Sequence, residues 1–143
     1  MVTSNNCIQK YGIPDINMEY KHMVLWDVPD TINKAIPALP NKIYCNKDLV
    51  QPLQDAFHNI IDRGLTDQVK TWDGCFNIRL KRGGASPSLH SWAIAIDINA
   101  AWNRLGHQPQ MSAELVKCFT DAGFDWGGIW TRPDGMHFQL KEI

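Results

Sequence analysis

Three residues of this chain combine the types and the settings that could hold a catalytic divalent cation: His90, Asp97 and His137. Two neutral imidazoles and one carboxylate fill three corners of a tetrahedron around zinc and leave the fourth open for water, the donor set of a hydrolytic rather than a structural site. His90 and Asp97 flank the strand-like run Leu89-His90-Ser91-Trp92-Ala93-Ile94-Ala95-Ile96-Asp97-Ile98-Asn99, and His137 lies in Met136-His137-Phe138-Gln139-Leu140. The set predicts a zinc hydrolase. Asp134, three residues before His137, is placed to take a proton from an attacking water and hand it to a departing amine. The same Pro133-Asp134-Gly135 tripeptide also serves as an ordinary turn.

The elements that must position these groups follow from side-chain period. In a strand, residues two apart share a face, so Ala93, Ala95 and Asp97 point one way and the bulky Trp92, Ile94, Ile96 and Ile98 the other. His137 and Gln139 share one face of the last segment, with Met136, Phe138 and Leu140 behind. As neighbouring strands of one sheet, these segments bring Asp97 and His137 together, and His90 reaches them from the turn Ser86-Pro87-Ser88-Leu89. An Asp in an Ile-rich strand and a His in an apolar one both put polar groups near the core, which is unfavourable unless they are paired or metal-bound. His22, His58 and His107 lack such settings and read as structural or solvated.

With these residues in place, the chain resembles a known family. Ser88-Leu89-His90, Ala95-Ile96-Asp97-Ile98-Asn99 and Asp134-Gly135-Met136-His137-Phe138 resemble the S-x-H-x(6)-D and [ED]-x-x-H signatures of the D-alanyl-D-alanine carboxypeptidase family of zinc peptidases. That family also contains the L-alanyl-D-glutamate peptidases that bacteriophages use as endolysins. The likeness runs over roughly residues 70 to 140, through Asp73-Gly74-Cys75-Phe76-Asn77-Ile78-Arg79, Arg82-Gly83-Gly84 and Gly123-Phe124-Asp125-Trp126-Gly127-Gly128-Ile129-Trp130. It implies His90, Asp97 and His137 as zinc ligands, Asp134 as general base, and Arg79 as the residue that binds substrate oxygen and steadies the oxyanion. It also implies Ser88 at the substrate. The chain departs from many relatives in carrying Ala93 for Gly, a methyl expected to narrow the space over the sheet, and Gln139 for Glu, which changes the surroundings of His137.

Composition sets the outer limits. At 143 residues the chain suits one domain, 1–143. A net charge of −1 and pI near 6.5 provide no basic field for nucleic acid. No apolar run is long enough for a membrane span, and the first residues lack the basic-then-apolar pattern of a signal peptide. Synthesis in a host cytoplasm and action on the wall in the periplasm after release are therefore expected. Cys7, Cys45, Cys75 and Cys118 show no C-x-x-C pair and read as free thiols. Cys75 with His90 would make a nucleophile pair, but no third group orients it as neatly as the metal set is supplied.

An α+β fold is expected, a small and largely antiparallel sheet flanked by two main helices. The first runs from Asn46 to about Arg63 with Leu49, Leu53, Ala56, Phe57, Ile60 and Ile61 on one stripe, and stops at Gly64. The second begins after Ser112, turns Leu115, Val116 and Phe119 inward and ends at Gly123. A strand through Val69-Lys70-Thr71-Trp72 and a loop from Cys75 to Ser88 lie between them. Residues 1–45, punctuated by Pro14, Pro29, Pro37 and Pro40, predict an irregular arm laid across the catalytic core of residues 46–143. Trp126 and Trp130 bracket Gly127-Gly128 before Asp134, and are expected to wall the cleft, with Trp130 at the substrate. Core packing is the other use of such aromatics.

The expected activity is hydrolysis of an amide bond in the peptidoglycan stem peptide, by an L-alanyl-D-glutamate endopeptidase of the phage endolysin type that works as a monomer with zinc. A D-Ala-D-Ala carboxypeptidase is the alternative within the enzyme class. A non-catalytic, metal-dependent wall-binding module is the alternative outside it, and retention of Asp134 and Arg79 argues against that.

Overall fold

Local caps and prolines divide the first 46 residues into short, ordered elements. The computed structural model describes all 143 residues. Helix α1 (Ser4–Tyr11) is closed by a capping box in which Thr3 Oγ1 accepts from the Asn6 N–H and Asn6 Oδ1 from the Thr3 N–H. Helix α2 (Ile16–His22) starts at Asp15, whose carboxylate accepts from the Met18 N–H. Strand β1 (Met23–Asp27), helix α3 (Asp30–Ala35) and strand β2 (Lys42–Asn46) follow, and β1 pairs antiparallel with β2. The expected irregular arm over residues 1–45 is thus corrected to three helices and a hairpin-like sheet. The prolines mark element boundaries: Pro29 occupies the N-cap of α3 with φ −54°, a value that suits a helix start.

Asn46 ends β2 and caps α4 (Lys47–Asp62), its side-chain oxygen accepting from the Asp48 N–H. Leu49, Leu53, Ala56, Phe57 and Ile60 are buried as the stripe predicts, and Trp26 of β1 stacks on Phe57 at 6.3 Å. Gly64 takes φ +71° after the helix, where a side chain would be strained.

The expected strand at 69–72 lies later, as β3 (Trp72–Gly74), behind a 3-10 turn at Thr66–Gln68. The cause is Asn99, whose side chain accepts from the Lys70 and Thr71 N–H groups and donates to the Gln68 carbonyl. These backbone groups are bonded to a side chain instead of a ladder. The run 89–99 likewise splits. Leu89–Trp92 form a 3-10 turn, Ala93 is left-handed at φ +53°, and only Ala95–Ile98 form strand β4. Ser88 Oγ accepts from the His90 N–H, and the Ala93 N–H donates to the His90 carbonyl, so local bonds override the strand pattern.

Helix α5 (Ala113–Thr120) begins at its expected cap, Ser112, and is followed by β5 (Phe124–Trp126) and β6 (His137–Leu140). The sheet runs β3-β4-β6-β5, antiparallel throughout. Helices α4 and α5 are joined by an Asn59 Nδ2 bond to the Cys118 carbonyl and by the Arg63–Asp121 ion pair. Phe119 of α5 stacks on Phe138 of β6 at 4.2 Å, so α5 covers the apolar face of the sheet. Ile94, Ile96 and Ile98 are fully buried, each stabilising the fold by about 1.5–3 kcal/mol. No helix is long and apolar enough to cross a membrane.

Candidate metal centre

The register of one strand pair creates the site. Asp97 of β4 lies directly opposite His137 of β6, and Ala95 opposite Gln139. Partners in such a ladder share a face, so the carboxylate and the imidazole meet where the small Ala95 leaves room. The 3-10 turn ahead of β4 supplies the third group, His90. The ligand atoms of His90, Asp97 and His137 all lie within 4.8 Å of one another. His90 Nε2 is 3.3 Å from Asp97 Oδ2, and His137 Nδ1 is 3.5 Å from Asp97 Oδ1.

Hydrogen bonds on the far side of each ring decide which nitrogen is free. His90 Nδ1 donates to the Cys75 carbonyl at 2.7 Å, which leaves the Nε2 lone pair facing the site. His137 Nε2 donates to Gln139 Oε1 at 3.0 Å, which leaves Nδ1 facing it. The orientation of Gln139 is fixed in turn, because its amide nitrogen donates to the Val2 carbonyl. Gln139 therefore supplies His137 with a hydrogen-bond acceptor without adding a charge.

Two bare lone pairs then point at a carboxylate. His90 Nε2 and Asp97 Oδ1 are buried without any hydrogen-bond partner, an unfavourable state unless a cation sits between them. These two separations match the edge of a tetrahedron with ligand distances of about 2.1 Å, roughly 3.4 Å. The His-Asp-His group thus fits a small divalent cation, with outer bonds of the kind that orient metal-bound histidines. Burial by itself would raise the Asp97 carboxyl, but the imidazoles of His137 and His90 outweigh it and hold the group well below the usual carboxylate range. Burial lowers His137, and Asp97 outweighs that effect and raises it.

A cavity of about 360 Å³ opens over this group, and Arg79, Ser88, Trp130 and Asp134 border it together with the three candidate ligands. Asp134 is half-buried on its wall, and burial pushes its carboxyl up despite the opposing pull of His137. Gly127 allows this placement: its carbonyl accepts from the Asp134 N–H at 2.9 Å, and an added Cβ would come within 2.6 Å of the Asp134 carbonyl oxygen. Arg79 borders the same cavity without a carboxylate partner, its side chain donating only to the Leu80 carbonyl at 3.4 Å. Ser88 lines the cavity, and its hydroxyl oxygen caps the turn that carries His90. Trp130 packs against His137 with ring centres 5.3 Å apart.

Trp126 does not wall the cleft; its indole donates to the Gly135 carbonyl and stacks on Phe138. Ala93 is fully buried and absent from the cavity lining, so its methyl does not narrow the space over the site. Cys75 contributes its carbonyl to His90, while burial pushes its thiol well above the usual range and removes it as a nucleophile. All four cysteines are free and buried. Sequence reasoning missed Lys81, Arg82 and Arg132 on the cavity wall, although a run of cations around Arg79 was visible. It also missed Val2, whose part in the site depends on a contact with residue 139 that no local pattern signals.

Residues 82–140 match the model of a family described as D-alanyl-D-alanine carboxypeptidase. No curated protein matches the chain. Among solved structures, the chain is similar to the crystal structure of the Serratia marcescens L-Ala D-Glu endopeptidase ChiX, at 20% identity and a TM-score of 0.44, with 76% of this chain and 84% of that chain covered. The family recognised from the motifs is the one whose model matches, and the matched stretch, residues 82–140, carries Ser88, His90, Asp97, Asp134 and His137.

Proposed function

We propose that the protein is a zinc-dependent peptidoglycan peptidase that hydrolyses an amide bond of the stem peptide, as an L-alanyl-D-glutamate endopeptidase of the phage lysis type. The observation that carries the metal-dependent reading is the pair of buried, unpartnered atoms, His90 Nε2 and Asp97 Oδ1, beside a free His137 Nδ1. The peptidase reading is supported by the family match over the same residues. The lysis role and the choice of bond come from the family likeness of the motifs.

Zinc held by His90, Asp97 and His137 would polarise the scissile carbonyl and lower the pKa of its water to about 7. Asp134 takes the proton from the attacking water and delivers it to the departing amine nitrogen, for which its raised affinity for a proton suits it. Arg79 donates hydrogen bonds to the oxygen that gains negative charge. Trp130 shields the His137 side of the cavity from water.

Purified cell walls incubated with the protein test the reading. Soluble fragments whose masses place the cut between L-alanine and D-glutamate are expected, abolished by a chelator and restored by zinc. Release of D-alanine alone would assign the exo-acting carboxypeptidase that the family description names. Walls left intact by zinc-loaded protein would overturn the enzyme reading.

A further inference from the structure

A second, more open cavity of about 470 Å³ adjoins the metal site. Arg82, Leu105, Arg132 and Met136 border both, so the two form one groove. The second is framed by Arg82, Arg104, His107 and Arg132, with no carboxylate among its lining residues. Neither these arginines nor Arg79 and Lys81 take part in any ion pair, whereas Lys10, Lys42, Arg63 and Lys117 each do. A chain of net charge −1 therefore lines one groove with five unpaired cations, opposed only by Asp97 and Asp134. Their mutual repulsion is relieved when an anion enters.

Two glycine turns lie beside the Arg132 guanidinium. An added Cβ would lie 3.9 Å from Arg132 Nη1 at Gly83 and 4.0 Å from Nε at Gly106, and these glycines have φ +77° and +82°. Two turns thus bring bare backbone up to the guanidinium. The Gly106 N–H donates to the Pro133 carbonyl at 2.7 Å, which ties the loop carrying Arg104 and His107 to the segment carrying Arg132.

Resting on the peptidase reading, we infer that the pocket bounded by Arg82, Arg104, His107 and Arg132 is an anion subsite that takes a free carboxylate of the substrate peptide while the scissile amide lies at the metal site. Planar guanidinium groups match a carboxylate in paired hydrogen bonds. The preferred substrate is then an acidic peptide with a carboxylate beyond the cut bond.

Two peptides of one stem sequence, one with free carboxylates and one with all of them amidated, are titrated calorimetrically into chelator-treated protein, where nothing is cut. Amidation is expected to weaken binding to the unchanged protein by about five- to tenfold, a gap that narrows as salt rises. In the double variant Arg104→Gln/Arg132→Gln the gap closes to less than about twofold at unchanged Tm, and with zinc the loss falls on KM rather than kcat. Equal binding of both peptides by the unchanged protein, or a gap undiminished in the double variant, overturns the subsite. Protein that prefers free carboxylates yet leaves walls intact keeps the subsite and removes the peptidase reading; protein that cuts walls but binds both peptides equally does the reverse.

Discussion

Gln139 and His137 stand two residues apart on β6, and the 3.0 Å bond between Gln139 Oε1 and His137 Nε2 determines that Nδ1 is the nitrogen left to bind a metal. Replacement by Leu, of similar volume, removes the acceptor and frees the ring to rotate or change tautomer. Zinc affinity is expected to fall about 10- to 100-fold, read by competition with a chromophoric chelator. Gln139→Glu keeps the acceptor but turns an oxygen toward the Val2 carbonyl, so zinc binding is largely retained while Tm falls. Leu at this position with undiminished zinc affinity would remove Gln139 from the role.

Asp97 lies between both imidazoles and is the only anionic donor of the set. Zinc at a hundred times its Kd should stabilise the unchanged protein by about 2.7 kcal/mol, a rise in Tm of roughly 8–10 °C. Asp97→Ala should lose that rise while His58→Ala, altered at an exposed histidine outside the set, keeps it. An equal zinc-dependent shift in Asp97→Ala, followed by calorimetry, would place the metal elsewhere.

What could be read from the sequence was whatever period or composition carries locally. The α4 stripe, the Ser112 cap and the shared face of His137 and Gln139 all follow from side-chain spacing, and the structure has them where spacing puts them. Asp97 and His137 were legible as a pair because a carboxylate and an imidazole within apolar strands are each unfavourable alone. Failures came where a side chain from far along the chain competes for backbone bonds. Asn99 takes the N–H groups of Lys70 and Thr71 and displaces the strand expected there, and Ser88 winds the segment before β4 into a turn. Residues 1–45 misled because prolines that delimit short helices look, in sequence, like prolines that prevent them.

As the proposed general base, Asp134 must be ionised to accept a proton, and burial raises its carboxyl above the ordinary aspartate value of about 3.9. A raised pKa keeps the neutral, inactive form populated to higher pH. The acid limb of kcat/KM should therefore lie above the ordinary aspartate range, with activity lost as pH falls through it. Asp134→Asn should lower kcat/KM by about 10²- to 10⁴-fold while changing zinc affinity little. A variant that retains its rate within tenfold would return Asp134 to the ordinary turn that its Pro-Asp-Gly setting also permits.

Ala93 and Ala95 are both fully buried alanines, but they differ in backbone: Ala93 sits at φ +53° and Ala95 is in β4. Substitution by Gly removes a buried methyl at either place, about 0.8 kcal/mol, and adds unfolded-chain entropy worth about 0.4–1 kcal/mol. At Ala93 alone it also relieves left-handed strain of about 1–2 kcal/mol. Ala93→Gly should therefore leave stability within about 1 kcal/mol of the unchanged protein, whereas Ala95→Gly lowers it by roughly 1–2 kcal/mol. Urea unfolding measures both, and equal losses would mean that the residue after the His90 turn carries no strain.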